Sequence, residues 1–302
     1  MADLRDMQLL AALSRQKHFA RAAEECGISQ PAFSARIRNM EEEYGVPLVK
    51  RGNRFMGFTS EGDIVLKWAV RLLSDAEGLN QEISSVKGKL QAGLTIGTVP
   101  TALAFAARAP AALAKTHPGL RIAVHSASTS EIDRRLEDFS FDAAITYLDG
   151  NLSNALKRLP LYEERYVLIA PHHIAPRPGG DITWAEAAGL PLALLTPNMR
   201  NRQIIDEVFA KVGVVPNAVT ETNAFTAALI QVAAGEVAMI APELLIESLP
   251  LAAQVARLRL VDPVERRPVG LVTADRSPRP PSLNALSAAM KGLAKELNAT
   301  LG

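Results

Sequence analysis

Between Val65 and Leu90, eight apolar residues (Val65, Ala69, Leu72, Ala76, Leu79, Ile83, Val86 and Leu90) fall at spacings of 4, 3, 4, 3, 4, 3 and 4. Nothing else in the chain limits its fold so tightly. A strict 3.5-residue repeat held this long puts every member on one seam of a continuous helix and predicts a coiled coil. Thr59 or Ser60 can cap its start, and Glu61 and Asp63 sit in the first turn, where the positive end of the helix dipole favours carboxylates. At roughly 1.5 Å per residue the helix spans some 45 Å, more than a small domain needs to bury one face. The alternative is a long helix lying along its own domain; the unbroken seam favours dimerisation. Gly88 and Gly93 then mark a hinge.

The residues ahead of this helix read as three short helices. Residues 4–15 place Leu4, Met7, Leu10, Ala11 and Leu13 inward, and a second helix runs from about Phe19 to Cys26. Gly27 supplies a sharp turn, and Ser29 can cap a third helix over Ser29–Tyr44 with Pro31 in its first turn. Phe33, Ile37, Met40 and Tyr44 form its apolar stripe, while Gln30, Ser34 and Arg38 lie four apart on another face. This pattern predicts a helix-turn-helix whose third helix enters the major groove of DNA. Leu48–Phe58 reads as a small β-hairpin wing, with Lys50, Arg51 and Arg54 placed to meet phosphates; the alternative is a solvated basic loop.

Global charge gives no sign of nucleic acid: 33 Lys and Arg face 32 Asp and Glu, for a net charge of +1. Residues 1–60 hold nine basic and seven acidic residues. DNA binding therefore rests on a local face. The one cysteine, Cys26, excludes an internal disulfide and any multi-cysteine metal site, and reads as inert packing. No signal-peptide pattern opens the chain and no apolar run nears the roughly 18 residues that span a bilayer, so no membrane partner and a cytoplasmic location are expected.

Beyond Gly93 the texture alternates between strand and helix. Strands are expected at 94–98, 121–126, 143–147, 166–170, 192–195, 219–221, 237–240 and 269–273. Helices are expected at 101–115, 131–137, 200–212, 225–234 and 282–298. That order predicts a mostly parallel sheet covered by helices on both faces.

The run FARAAEECGISQPAFSARIRNMEEEYGVPLV from Phe19, then Arg51, Arg54 and TSEG at 59–62, resembles the LysR-type transcriptional regulators. LTIGTVPT at 94–101, PGLRIAV at 118–124 and VAAGEVAMIAP at 232–242 extend the resemblance over the rest of the chain. It implies an N-terminal all-α winged helix-turn-helix domain (1–58), a linker and dimerisation helix with its hinge (59–92), and a C-terminal α/β effector domain (93–302). That last domain is two-lobed and periplasmic-binding-protein-like, with lobe one at about 94–164 and 266–302 and lobe two at about 165–265. Homodimers through the linker helix, joined as a homotetramer, are the assembly this implies. Three departures stand out: His18 and Ala20 flank Phe19 where the family often has Ser or Thr, Ala35 sits where Arg is common, and Gly57 replaces a frequent wing Arg. Base reading near Ala35 would then shift to Arg36, to Arg38 or to no residue.

For the DNA face the expected contacts are Gln30, Pro31, Ser34, Ala35, Arg38, Arg51 and Arg54 on a pseudo-palindromic double-stranded site. Gln30 can pair bidentately with adenine, and Arg38 can hold phosphate. The effector site is expected between the lobes, where strands end and helices begin, a place suited to a small anion. By resemblance Pro100, Thr101, Ser128, Thr129, Thr146 and Asn198 line it, with Arg200, Arg202 and Asn223 near by. No cofactor and no metal is expected. An enzyme finds no G-x-S-x-G, phosphate-binding loop, H-E-x-x-H or cysteine pair, and His172-His173 reads as a loop. A transport binding protein would suit the back two thirds alone. The expected function is a transcriptional regulator answering to a small organic acid.

Overall fold

The computed structural model describes residues 2–301 except 51, 53, 151, 178 and 251–254, and the side chains of all of these but 300 and 301. The chain forms two compact units, Met1–Lys89 and Leu90–Gly302.

In the first unit α1 (Leu4–Gln16), α2 (Phe19–Glu25) and α3 (Gln30–Tyr44) are followed by the long α4 (Ser60–Val86). Asp3 and Asp6 close a capping box on α1, Ser29 accepts from the Ala32 amide at α3, and Thr59 accepts from the Gly62 amide at α4. His18 starts α2 without any side-chain cap. Met7, Leu10, Leu13, Ala22, Phe33, Ile37 and Met40 are buried together, and the rings of Phe19, Phe33, Phe55 and Phe58 meet edge to face. Leu4 and Tyr44 are exposed, each at a helix end beyond the reach of that core.

Helix α4 corrects the seam at both ends. Val65 and Ala69 pack inward on the unit's own core with Leu66 and Leu73. Ile64, Trp68, Leu72, Leu79, Ile83 and Val86 form the exposed apolar stripe instead. The helix stops at Val86, Gly88 turns at φ +66°, and Leu90 packs on the core of the second unit.

The second unit begins with β1 (Ala92–Thr98) and a 3-10 turn at Pro100–Ala102, then α5 (Leu103–Ala106), α6 (Ala109–Thr116), β2 (Leu120–Ser126), α7 (Thr129–Glu137) and β3 (Ala143–Tyr147). The single helix expected over 101–115 is thus divided, because Pro110 has no N–H to continue the ladder and opens a new helix in its first turn. Next come β4 (Leu156–Pro171), β5 (Asp181–Thr183), α8 (Trp184–Ala188), β6 (Leu192–Leu195), α9 (Arg200–Val212), β7 (Ala218–Thr222), α10 (Phe225–Ala233), β8 (Ala238–Pro242), α11 (Glu243–Glu247), β9 (Val255–Val261), β10 (Arg266–Ala274) and α12 (Pro281–Leu301).

β1 lies between β2 and β3 in parallel, joined by helical crossovers. β4 belongs to two layers. Its residues 156–165 run antiparallel to β10, from Leu156 opposite Ala274 to Arg165 opposite Arg266, with a bulge between Val269 and Gly270. From Tyr166 onward it pairs with β8, and from Val167 with β9 on its other side. β6 stands parallel to both β8 and β7. One strand therefore carries the chain from the β2-β1-β3-β10 layer into the β8-β6-β7 layer. Among the described residues, no helix is long and apolar enough to cross a membrane.

Candidate nucleic-acid interface and effector cleft

Helix α3 and the segment after it enclose a groove of about 440 Å³ lined by Gln30, Ser34 and Arg38 from α3 and by Lys50, Gly52 and Arg54 from the segment. Glu41, on the same face of α3, positions the far wall: its carboxylate accepts from the Leu48 amide (2.8 Å) and the Val49 amide (3.1 Å). Among the described residues the wing shows a single antiparallel bridge, from Val49 to Phe58, with the Lys50 amide donating to the Gly57 carbonyl. It is tied to α4 by Thr59, whose hydroxyl donates to the Pro47 carbonyl at 2.6 Å, and by Gly62, where a Cβ would stand 1.9 Å from the Leu48 oxygen. Gly62 is thus required by the close approach of two backbones.

Among the described residues Arg38, Lys50 and Arg54 have no carboxylate partner, whereas Arg36 pairs with Asp6 (2.8 Å) and Asp3. Arg36 therefore fastens α3 to α1 and is not available to take over base reading beside Ala35. Ala35 is half-buried and Pro31 exposed on the same helix. Arg51 lies outside the described residues. Cys26 packs against the core of this unit, and burial pushes its thiol pKa up.

In the second unit, Pro100, Thr101, Ser128, Thr129 and Arg200 converge on one cleft with Val99, Tyr147, Leu195, Met199 and Asn201. The space is nearly closed, about 10 Å³, the room of roughly one water. Three residues lining it have buried polar atoms with no partner among the described residues: the Thr129 hydroxyl, Arg200 Nε, and both polar atoms of the Asn201 amide, whose residue is 3% exposed. Asn201 stands in the first turn of α9, whose N-cap, Met199, gives no side-chain cap. The first turn of α9 therefore has no side-chain acceptor for its free backbone N–H groups. Ser128 instead spends its oxygen on capping α7.

Three residues expected in the cleft do not line it. Thr146 is buried on the other face of β3 from Tyr147, as strand alternation requires. Asn198 is exposed and accepts from the Thr196 hydroxyl at 2.7 Å, and Asn223 is exposed beyond β7. Arg200 reaches the cleft already paired, with Glu207 at 2.7 Å and Asp149 at 3.5 Å. Arg267 joins the same carboxylates and Glu265. Arg202 clamps Asp206, Glu221 and the Leu195 carbonyl. Neither arginine is an idle cation. His172 and His173 lie in the turn after β4.

Behind the cleft lies a group that no local pattern announced. Thr101 Oγ1 is 3.0 Å from the Tyr147 hydroxyl, which donates to Glu164 Oε1 at 2.6 Å; Tyr166 donates to the same oxygen at 2.9 Å. Burial drives the Glu164 carboxyl up to about 7, against the opposing pull of the two phenols. The same burial and the neighbouring Glu164 push the Tyr147 and Tyr166 phenols well above their usual range.

Residues 4–63 match the family model of the bacterial regulatory helix-turn-helix proteins of the lysR family, and residues 87–295 match the LysR substrate binding domain. The chain belongs to the LysR family. Several relatives are named as transcriptional activators or regulators. One is the hydrogen peroxide-inducible genes activator of Haemophilus influenzae, 32% identical over 63% of this chain and 60% of that protein. Another is the DNA-binding transcriptional dual regulator OxyR of Escherichia coli, 33% identical over 55% of this chain and 54% of that protein. The matched region thus spans little more than half the length of these LysR relatives. In fold, the chain is similar to full-length OxyR from Pseudomonas aeruginosa, with TM-score 0.80 and 22% identity over 96% of this chain and 95% of that one. It is also similar to the LysR-family regulator CbnR in complex with its target DNA, with TM-score 0.67 and 18% identity over 97% of this chain and 100% of that one.

Proposed function

We propose that the protein is a sequence-specific DNA-binding transcriptional regulator, acting in the cytoplasm, whose second unit answers to a small organic acid. The observation that carries the DNA reading is the groove between α3 and the wing, where Gln30, Ser34, Arg38, Lys50 and Arg54 share one face and the three cations lack carboxylate partners among the described residues. Gln30 then reads base edges while Arg38, Lys50 and Arg54, with Arg51, hold phosphates. The exposed stripe of α4 from Ile64 to Val86 suits a homodimer, and a pair of such dimers a homotetramer on a pseudo-palindromic site.

For the effector, the uncapped start of α9 with Asn201 takes the acid's carboxylate, and Thr101, Ser128 and Thr129 face its other end. So small a closed space admits an effector only when the walls part, which links binding to a change of conformation. The residues around Gly88 are the hinge through which that change reaches α4, whereas Gly93, expected to share that role, is held in β1 opposite Arg121. Relatives named for hydrogen peroxide raise a second reading, a thiol response. The second unit of this chain has no cysteine, and burial raises the pKa of the Cys26 thiol in the first unit, which lowers its thiolate fraction and slows reaction with peroxide. Reversible binding is the reading favoured here.

Selection of duplexes from a random pool, followed by fluorescence anisotropy, tests the DNA reading. The chain should enrich a two-fold repeated sequence and lose its preference on Gln30→Ala. Enrichment of no sequence would refute it.

A further inference from the structure

Three of the chain's four tyrosines sit around one carboxyl. Tyr147 and Tyr166 donate to Glu164 Oε1, while the Tyr162 phenol, packed on Phe105, feels the charge of Glu164 and has no partner of its own among the described residues. Glu164 is 2% exposed and lies on β4, the strand shared by both layers. A phenol has one proton to give. Tyr147 gives its proton to Glu164, so across the 3.0 Å contact Thr101 must donate and the Tyr147 oxygen accept. The hydroxyl chain therefore runs inward, Thr101 to Tyr147 to Glu164, and Thr101 faces the cleft with lone pairs only.

We propose that Glu164 is a positioning residue that fixes this direction, so that Thr101 offers the cleft a hydrogen-bond acceptor and the effector is an acid that also carries a hydroxyl or amino donor. The proposal rests on the effector reading above. The carboxylate of such a molecule meets the start of α9 and Asn201, and its donor meets Thr101. A plain acid leaves the Thr101 acceptor unpaired in a dry site, which costs binding.

Isothermal titration of the full chain with matched pairs tests this: L-malate against succinate, L-lactate against propionate, and L-alanine against propionate. In at least one pair the donor-bearing acid should bind about tenfold or more tightly than its partner. Thr101→Val, equal in shape but without the acceptor, should erase the preference. Glu164→Gln can donate its amide to Tyr147 and release the chain to reverse, so it too should shrink the preference, although it touches no ligand. The wild-type ratio alone decides the ligand class even if a variant fails to fold. Equal binding within every pair overturns the inference and leaves the acid reading standing. A preference kept in Glu164→Gln but lost in Thr101→Val overturns the role of Glu164. Binding of no acid at all overturns the acid reading and the inference together.

Discussion

Replacing Glu164 by Gln isolates the protonation of one buried carboxyl. Its pKa rises from 4.5 to about 7, chiefly through burial, with Asp149 adding to the rise and the hydroxyls of Tyr147, Tyr166 and Thr101 opposing it. Tyr162 is the remaining titratable group that senses its charge. At roughly 1.4 kcal/mol per tenfold in proton affinity, keeping the ionised form in the fold costs about 3 kcal/mol. The sign follows from linkage. Below about pH 4.5 folded and unfolded chains both hold the proton. Between about 4.5 and 7 the unfolded chain releases it while the fold retains it, so stability falls as pH rises and levels off above 7. Gln has no proton to lose. The difference in unfolding free energy, variant minus wild type, should therefore climb by about 3 kcal/mol from pH 4.5 to pH 8. Urea unfolding followed by fluorescence of Trp184 reads this unit, since that indole is fully buried and donates to the Pro263 carbonyl at 2.9 Å. Trp68→Phe removes the other, exposed tryptophan from the signal. A difference constant to within about 0.5 kcal/mol across the range would refute a raised pKa at Glu164.

Other consequences are equally direct. Arg38→Ala and Lys50→Ala should each weaken binding to all DNA sequences alike and reduce the salt slope of the affinity by about 1, measured by anisotropy at several salt concentrations. Gly62→Ala drives a methyl group onto the Leu48 carbonyl oxygen and should destabilise the first unit by about 2 kcal/mol or more, seen in thermal melts. Leu79→Arg combined with Ile83→Arg places charge on the exposed stripe of α4 and should shift sedimentation toward the monomer.

What could be read from the letters was local. The caps at Ser29 and Thr59, the turn at Gly27 and the stripe through Phe33, Ile37 and Met40 are properties of neighbouring residues, and all are present. The seam of α4 failed at Val65 and Ala69 because two apolar faces share that helix, one for its own core and one exposed, and spacing alone does not rank them. In β4 the stretch before Tyr166 hid behind Pro160 and the charges of Lys157, Arg158, Glu163 and Arg165, which break the alternation near the bulge with β10. β9 is legible in the letters, since ARLRL alternates apolar and charged residues.

The cleft divides in the same way. Thr101, Ser128 and Thr129 follow strands directly and could be placed from sequence, while Asn198 and Asn223 lie in comparable turns yet stay exposed. Tyr147 and Glu164 come together only because β10 stands between β3 and β4 in one particular register, a fact of tertiary pairing. Asn201 gives no sequence signal apart from its place in the first turn of α9.

In the proposed function, α3 and the wing read DNA under the control of an acid. Footprinting on the DNA upstream of the protein's own gene, with and without L-malate, L-lactate and L-alanine, tests it most directly, using the wild type beside Gln30→Ala combined with Arg38→Ala. The expected result is a protected pseudo-palindrome whose boundary shifts with at least one acid and whose protection the double variant loses. Protection that the double variant retains unchanged, or no protection at all, would contradict it.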